Sequence, residues 1–294
     1  MLIIEQMKSE HFSDAEQTLV DYMTENPQSL ENMTTTALAQ ITHTNPTSLI
    51  RVAKKLGFKG WTDLKEAFLK EWHYLNSNYN SIDANLPFEK QDNLLSIANK
   101  LASLEHNTIQ DTLSLLDYQN LMQAQEKLFK AKEIKIFGSH TNAMISQDFV
   151  TKMRRINRNV SIASTFHYID YEAYHSTEDT CAIVISYTGE NDVMLKCIDM
   201  LRERGSSIIS LTSIGDNTIS KLSDVTLHIT TREKLYSKIA NFTSNTSIIY
   251  LLNLLYAVVF THDYDANLEH IIEVGQIFDS RRISSDIMRE NKTQ

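Results

Sequence analysis

Three short stretches of the 294-residue chain gather hydroxyl, amide and glycine residues where an apolar run gives way to a helical pattern. They are Gly138-Ser139-His140-Thr141-Asn142, Ser186-Tyr187-Thr188-Gly189-Glu190-Asn191 and Thr212-Ser213-Ile214-Gly215-Asp216-Asn217. Hydroxyls and free backbone N–H groups at a helix N-terminus favour a phosphate or another anion, even with little positive charge nearby. The same residues would serve to cap their own helices, and for any one loop capping is a sufficient explanation. Three such loops on one sheet edge are more than capping alone accounts for. A second group is cationic. Residues 46–70 hold Arg51, Lys54, Lys55, Lys59, Lys65 and Lys70 against Asp63 and Glu66, a local +4 in a chain whose formal net charge is −9, which leaves −13 for the rest. Phosphate affinity needs local Lys and Arg rather than a basic total.

The elements that must position these groups fall into two halves. From Ser13 to about Trp72 apolar residues recur at helical spacing. Leu19, Val20 and Met23 mark one helix, and Ala37, Leu38 and Ile41 a second, opened by the Thr34-Thr35-Thr36 run. A third has Asn45 as N-cap, Pro46 at the first helical position, the stripe Leu49, Val52, Ala53, Leu56, and Gly57 as stop. A fourth follows Thr62. The third helix, reached through the tight turn Thr42-His43-Thr44, turns a polar and cationic face outward, the layout of a helix-turn-helix. That reading sends Asn45, Thr47, Ser48 and Arg51 to base edges in a major groove and Lys54, Lys55 and Lys59 to phosphates. A solvated helix face in an ordinary bundle is the plainer alternative.

The polar, irregular text from about Asn76 to Asn93, which includes Pro87, reads as an interdomain connection, and a helical region follows from Leu94 to about Ala131. Beyond residue 132 strand-type runs (134–137, 160–163, 181–186, 207–212, 225–229) alternate with helical ones (143–156, 192–204, 218–222). This implies a mainly parallel sheet with helices on both faces. The last helix, about Thr243 to Phe260, is apolar on nearly every side and is expected to be deeply buried. The expected division is a helical domain over 1–77, a linker and connecting helix over 78–106, and an α/β domain over 107–294.

Composition narrows the class. With 42% hydrophobic and 22% charged residues, 7 Gly and 3 Pro, the chain is globular rather than disordered, collagenous or solenoidal. Cys181 and Cys197 lack the spacing of a zinc site or a disulfide framework, which fits a reducing, cytoplasmic setting. The N-terminus lacks the basic flank and apolar length of a signal peptide. The longest apolar stretch, Ile248 to Phe260, falls short of the roughly 20 residues a membrane span needs.

At Thr47-Ser48-Leu49-Ile50-Arg51 followed by Leu56-Gly57-Phe58-Lys59-Gly60-Trp61-Thr62-Asp63-Leu64-Lys65, the chain resembles the N-terminal helix-turn-helix of RpiR-type transcriptional regulators. Ile185 to Asn191 is similar to the phosphate-loop pattern S-x-S-G-x-T of the SIS (sugar isomerase) domain those regulators carry. The two motifs occur in the expected order. The resemblance implies an all-α helix-turn-helix domain joined to an α/β SIS domain, binding double-stranded operator DNA as a homodimer or homotetramer. A phosphorylated sugar or amino sugar would be the effector, held by Ser139, Thr141, Asn142, Ser186, Thr188, Asn191 and Ser244, and its binding would alter the spacing of two recognition helices. Asn142, Asn191 and Asn217 stand where such regulators commonly have Ser or Thr, and His140 replaces a glycine of the first loop.

SIS domains also occur in sugar-phosphate isomerases, so that activity is the alternative. Moving a proton between adjacent carbons needs a carboxylate or His, and Glu190, His140, Glu233 and His228 are the nearest candidates. No His pairs with a second His at ligand spacing, so neither a metal nor a cofactor is expected, and an attached DNA-binding domain makes sensing rather than catalysis the expected role.

Overall fold

In the computed structural model, residues 2–76, 82–163 and 169–288 are described. The helical N-terminal half comprises α1 (Ile3–Ser9), α2 (Asp14–Glu25), α3 (Thr35–Ile41), α4 (Pro46–Lys55) and α5 (Trp61–Asn76), with a 3-10 turn at Pro27–Asn32. Leu19, Met23, Leu30, Leu38, Leu49, Val52, Ala53, Leu64 and Phe68 form its core. Local chemistry sets the boundaries. Thr34 Oγ1 accepts from the Ala37 N–H and Asn45 Oδ1 from the Thr47 N–H, while Gly57 takes φ +84° just past α4. Helix α1 is set only in part by local contacts: the Leu2 N–H donates to Glu5 Oε2 at 2.9 Å, but the N–H groups of Ile3 and Ile4 donate to the Glu71 carboxylate of α5 at 2.7 and 2.9 Å. Burial raises the Glu71 pKa above the ordinary carboxylate value.

The second half opens with α6 (Leu94–Ser114) and α7 (Tyr118–Lys130). Five strands follow, β1 (Glu133–Gly138), β2 (Val160–Ile162), β3 (Thr180–Ser186), β4 (Ser207–Thr212) and β5 (Val225–His228), in the order β2-β1-β3-β4-β5 and parallel throughout. The helices between and after them are α8 (Thr141–Ile145), α9 (Gln147–Arg154), α10 (Ile169–Tyr174), α11 (Asp192–Glu203), α12 (Thr218–Leu222), α13 (Phe242–Phe260) and α14 (Tyr264–Phe278). Helix α6 runs unbroken through residues 106 and 107, and its Thr112 hydroxyl meets that of Ser247 on α13 at 2.8 Å.

Strand β3 shows why the sheet reads as continuous apolar runs. Cys181, Ile183 and Ile185 face α7, α9 and α13, while Ala182 and Val184 face α10, α11 and α12, so both pleat faces are covered. The two thiols lie on opposite sides of the sheet, Cys181 in one layer and Cys197 of α11 in the other, both free and fully buried. The sequence reading of α13 needs correction. One face, with Ile248, Leu251, Leu252, Leu255 and Val259, packs on the sheet, while Ile249 is 41% exposed and Asn253 and Ala257 are exposed. Helix continues to Phe278 with mean hydropathy 1.4 over its most apolar part, long and apolar enough by composition to cross a membrane. The sheet against its inner face accounts for that character in α13, whereas α14 has no buried residue and exposes Leu268, Ile272, Ile277 and Phe278.

Candidate functional site

Helices α3 and α4 are joined by Thr42-His43-Thr44. His43 adopts φ +52°, Thr44 N–H reaches back to the Ala39 carbonyl at 2.8 Å, and the Thr42 hydroxyl donates to the Leu38 carbonyl at 2.8 Å. This fixes the turn that aims α4. Thr47, Ile50, Arg51 and Lys54, at i, i+3, i+4 and i+7, share its outward face and are exposed, as are Asn45 and Lys59. Asn45 is occupied as the N-cap, its Oδ1 accepting from the Thr47 N–H and hydroxyl at 3.0 Å each.

Two residues expected on the DNA-facing side are placed differently. Ser48 is only 8% exposed, because the buried stripe is wider than Leu49, Val52 and Ala53 alone and takes in the neighbouring position. Lys55 reaches sideways: its Nζ bonds Glu16 Oε2 at 2.7 Å and the His11 carbonyl at 3.0 Å and lies 5.5 Å from the Phe12 ring centroid. Hydrogen bonds from Lys55 and the Ser13 N–H hold the Glu16 pKa below the usual carboxylate value. Lys65 is also engaged within the fold, donating to the Glu31 and Met33 carbonyls at 3.0 and 3.1 Å. The basic island therefore divides into structural cations, Lys55 and Lys65, and an exposed set, Arg51, Lys54, Lys59 and, on α5, Lys70. Ile50, 45% exposed in the middle of the polar face, was not singled out from sequence, since it breaks the polar pattern that drew attention there.

The second candidate site lies beyond the carboxyl ends of the strands. The chain leaves β1 for β2 on one side and crosses to β3 on the other, so the topological switch point, where open parallel sheets bind ligands, falls between β1 and β3. With Gly138 registered against Ile185, the loops bearing Ser139, Thr141 and Asn142 and bearing Ser186, Thr188 and Asn191 leave the sheet side by side at that crevice. Asn142 Nδ2 donates to the Ile185 carbonyl at 3.3 Å, tying the first loop to the end of β3. Ser186 is buried at the strand end, while Thr188 and Asn191 are exposed.

Much of the polar inventory is already satisfied. Asn191 Oδ1 caps α11 through the Met194 N–H at 3.1 Å, and Thr188 Oγ1 accepts from the Glu190 N–H at 3.3 Å. Glu190 Oε1 accepts the Thr218 N–H at 2.8 Å, and hydrogen bonds from the Thr218 side chain and then its N–H lower the Glu190 pKa. Asn217 caps α12 through the Ser220 N–H at 2.9 Å and donates to Thr212 Oγ1 at 3.1 Å. Gly189, at φ +68°, presses on it so closely that a Cβ there would lie 2.0 Å from Asn217 Oδ1. Ser244 faces not open space but Glu233. That buried carboxylate accepts from the Ser244 N–H and hydroxyl at 2.9 Å each, from the Thr243 N–H and hydroxyl at 2.7 and 2.9 Å, and from Lys238 Nζ at 2.8 Å. Burial pushes the Glu233 carboxyl up, but the bonds from Lys238, Ser244 and Thr243 outweigh it and hold the pKa below the ordinary value. Lys238 was missed from sequence, and nothing in its spacing could have found it, because the pairing depends on how the 229–241 segment folds back. His228 is half-buried with Nδ1 3.0 Å from the Ser213 carbonyl, and desolvation lowers its pKa; His140 is exposed at φ +39°.

Comparison with known proteins agrees with this geometry. Residues 1–73 match the helix-turn-helix domain of the rpiR family, and residues 127–258 match the SIS domain. The uncharacterized HTH-type transcriptional regulator YbbH of Bacillus subtilis is 25% identical over 283 residues, 96% of this chain and 98% of that protein. The corresponding regulator TTE0211 of Caldanaerobacter subterraneus subsp. tengcongensis is 24% identical over 285 residues, 97% of this chain and 99% of its own. Among solved structures, the Vibrio vulnificus NanR protein complexed with ManNAc-6P superposes with TM-score 0.57 at 20% identity, covering 94% of this chain and 98% of that one. The sugar isomerase domain of an RpiR transcription factor from Sphaerobacter thermophilus gives 0.52 at 16% identity over 61% of this chain and 98% of its own. With a helix-turn-helix at one end, a five-stranded SIS sheet at the other and full-length regulators as relatives, the chain belongs to the rpiR family of helix-turn-helix regulators.

Proposed function

We propose that this protein is a cytoplasmic transcription factor that binds operator DNA through α4 and is controlled by a phosphorylated sugar or amino sugar held at the crevice between β1 and β3. The observation that carries the reading is the pairing, in one chain, of an exposed Thr47, Arg51 and Lys54 face on a helix-turn-helix with hydroxyl-bearing loops at a topological switch point. Arg51 is assigned to a base edge and Lys54 and Lys59 to phosphates. Ser139, Thr141, Ser186 and Thr188 are assigned to the effector's phosphate, with Asn142 and Asn191 shaping the loops. The NanR structure, which carries ManNAc-6P, supports a phosphosugar as the class of ligand.

Sensing rather than catalysis is supported by the acid–base candidates. Glu190 and Glu233 are engaged at the starts of α12 and α13, and His228 lies against a carbonyl. The exposed apolar residues of α14 and the outer face of α13 favour a homodimer, which a two-fold operator also calls for. The test is a thermal-shift screen of hexose, hexosamine and pentose phosphates, followed by binding of the full chain to the DNA upstream of its own gene with and without the hit. A hit that raises the melting temperature and changes DNA affinity, both lost in Ser186→Ala with Thr188→Ala, is expected. A hit consumed on incubation would instead favour a sugar-phosphate isomerase.

A further inference from the structure

A knot of polar contacts joins the two halves. Tyr74, in the last turn of α5, is 3% exposed. Its hydroxyl accepts from the Thr231 N–H at 2.6 Å and lies 3.4 Å from Thr230 Oγ1. The Arg232 guanidinium sits 4.3 Å from the Tyr74 ring centroid, donates to the Tyr74 carbonyl, and pairs with Asp111 of α6 at 2.8 Å. Asp111 also accepts from the Thr230 hydroxyl. Beside this knot the halves are not close-packed: a cavity of about 410 Å³ opens between them, bounded by Leu56, Phe58 and Lys70 on one side and Leu115, Ile214 and His228 on the other. Among the described residues, the directional contacts of this knot join the helical half to the sheet beside that cavity.

The same short segment is clamped at its other end by the effector loop. Tyr187, between Ser186 and Thr188, donates its hydroxyl proton to the Glu233 carbonyl at 2.7 Å and accepts the Glu233 N–H at 3.0 Å. Thr231 Oγ1 accepts the Ile214 N–H from the loop after β4 at 3.0 Å. One peptide unit, about 3.8 Å between Cα atoms, joins Glu233 to Arg232, so a backbone shift at Glu233 reaches Arg232 except for what rotation about the φ and ψ between them absorbs. Glu233 also occupies the Thr243 and Ser244 donors at the start of α13, so an anion that took the Ser244 donors would dislodge it.

We propose that Tyr187, Glu233, Arg232 and Tyr74 form a mechanical link that couples the loop after β3 to α5, so that the state of that loop sets how firmly the DNA-binding half is held. The link rests on the reading of that loop as the effector site for its purpose, but its existence can be measured without effector or DNA. Tyr187 and Tyr74 act here as positioning residues, and Phe at either keeps the ring while removing the hydroxyl.

The test is amide hydrogen exchange on the full chain, comparing wild type, Tyr187→Phe, Tyr74→Phe and the double variant. Tyr187→Phe is expected to speed exchange about tenfold in the last two turns of α5, in the other half of the chain, and Tyr74→Phe to do the same over residues 186–191 and 243–244. The double variant should add little to either single one, because both break one chain of contacts. Responses confined to the mutated half, or fully additive ones, would overturn the link. Should Tyr187→Phe fail to fold, the remote response to Tyr74→Phe decides the matter alone. The reciprocal exchange pattern in the variants together with no DNA binding by the wild type would overturn the proposed function and leave the link standing; DNA binding by the wild type without that pattern in the variants would do the reverse.

Discussion

Helix α4 and the loops around β3 are both rich in groups that hold phosphate, yet they spend them differently. On α4 the polar residues divide cleanly: Lys55 is tied to Glu16, Ser48 is turned inward, and Arg51 and Lys54 stand exposed. Around β3 nearly every amide and carboxylate first serves the fold, with Asn191, Asn217, Glu190 and Glu233 each engaged at a helix start. Among the described residues no buried side-chain polar atom lacks a partner. A surface for a large rigid polyanion needs only charge held outward, whereas a crevice for a small ligand must first be shaped from groups that satisfy one another.

Substitutions can break this contrast or sharpen it. The largest effect is expected in the loop. Gly189→Ala forces a Cβ onto Asn217 at a positive φ, and should cost about 3 kcal/mol of stability in urea denaturation, from overpacking together with backbone strain. A loss under 1 kcal/mol would mean that the loop and Asn217 are not locked together. Next is the division on α4. Arg51→Ala should lower discrimination between operator and random DNA by about 1–3 kcal/mol without changing the melting temperature. Lys55→Ala should change stability by up to about 1 kcal/mol, the ion pair being partly exposed, and leave that discrimination unaltered. If the two variants behaved alike in gel-shift and melting experiments, the separation of structural from exposed cations would fail.

Smaller still, Asn191→Ala removes the cap of α11 and should cost about 1 kcal/mol, whatever it does to effector affinity. The smallest effect concerns pH. Burial depresses the folded-state pKa of His228 below its ordinary value of 6.5, so the unfolded chain takes up that proton first. The contribution is fully present above 6.5, declines as pH falls through it, and levels off below the folded-state pKa. His228→Gln should flatten the fall in melting temperature between about pH 7.5 and 5.5. An unchanged slope would assign the pH dependence to other groups.

What could be read from the sequence follows from how far each signal travels along the chain. Helix α4 was legible because its cap, first proline, apolar stripe and terminal glycine lie within thirteen residues, Asn45 to Gly57. Strand β3 was legible because both its faces are covered, leaving the uninterrupted apolar run Cys181 to Ile185, whereas β5 was legible from the alternation of buried Val225 and Leu227 with Thr226 and His228. Helix α1 was not, because it lacks an N-cap side chain of its own and the Ile3 and Ile4 N–H groups are satisfied by Glu71, 68 positions from Ile3. The pairing of Ser244 with Glu233 was hidden likewise: Glu233 lies ten positions before Thr243, residues 234–241 between them form no regular element, and only their folding back sets the carboxylate on the helix. The inward turn of Ser48 depends on the width of the buried stripe, which its neighbours on α2 and α5 decide.

The two cysteines make the sheet self-reporting. Desolvation pushes both thiols up to about 12, so at neutral pH neither has enough thiolate to react while its layer stays closed. Because Cys181 sits under α7, α9 and α13 and Cys197 under α10 and α12, alkylation of each becomes a clock for the opening of one layer. A reagent added to the native protein, with the two labels resolved by peptide mapping, would time the unlocking of each side of the sheet separately and without engineering a probe.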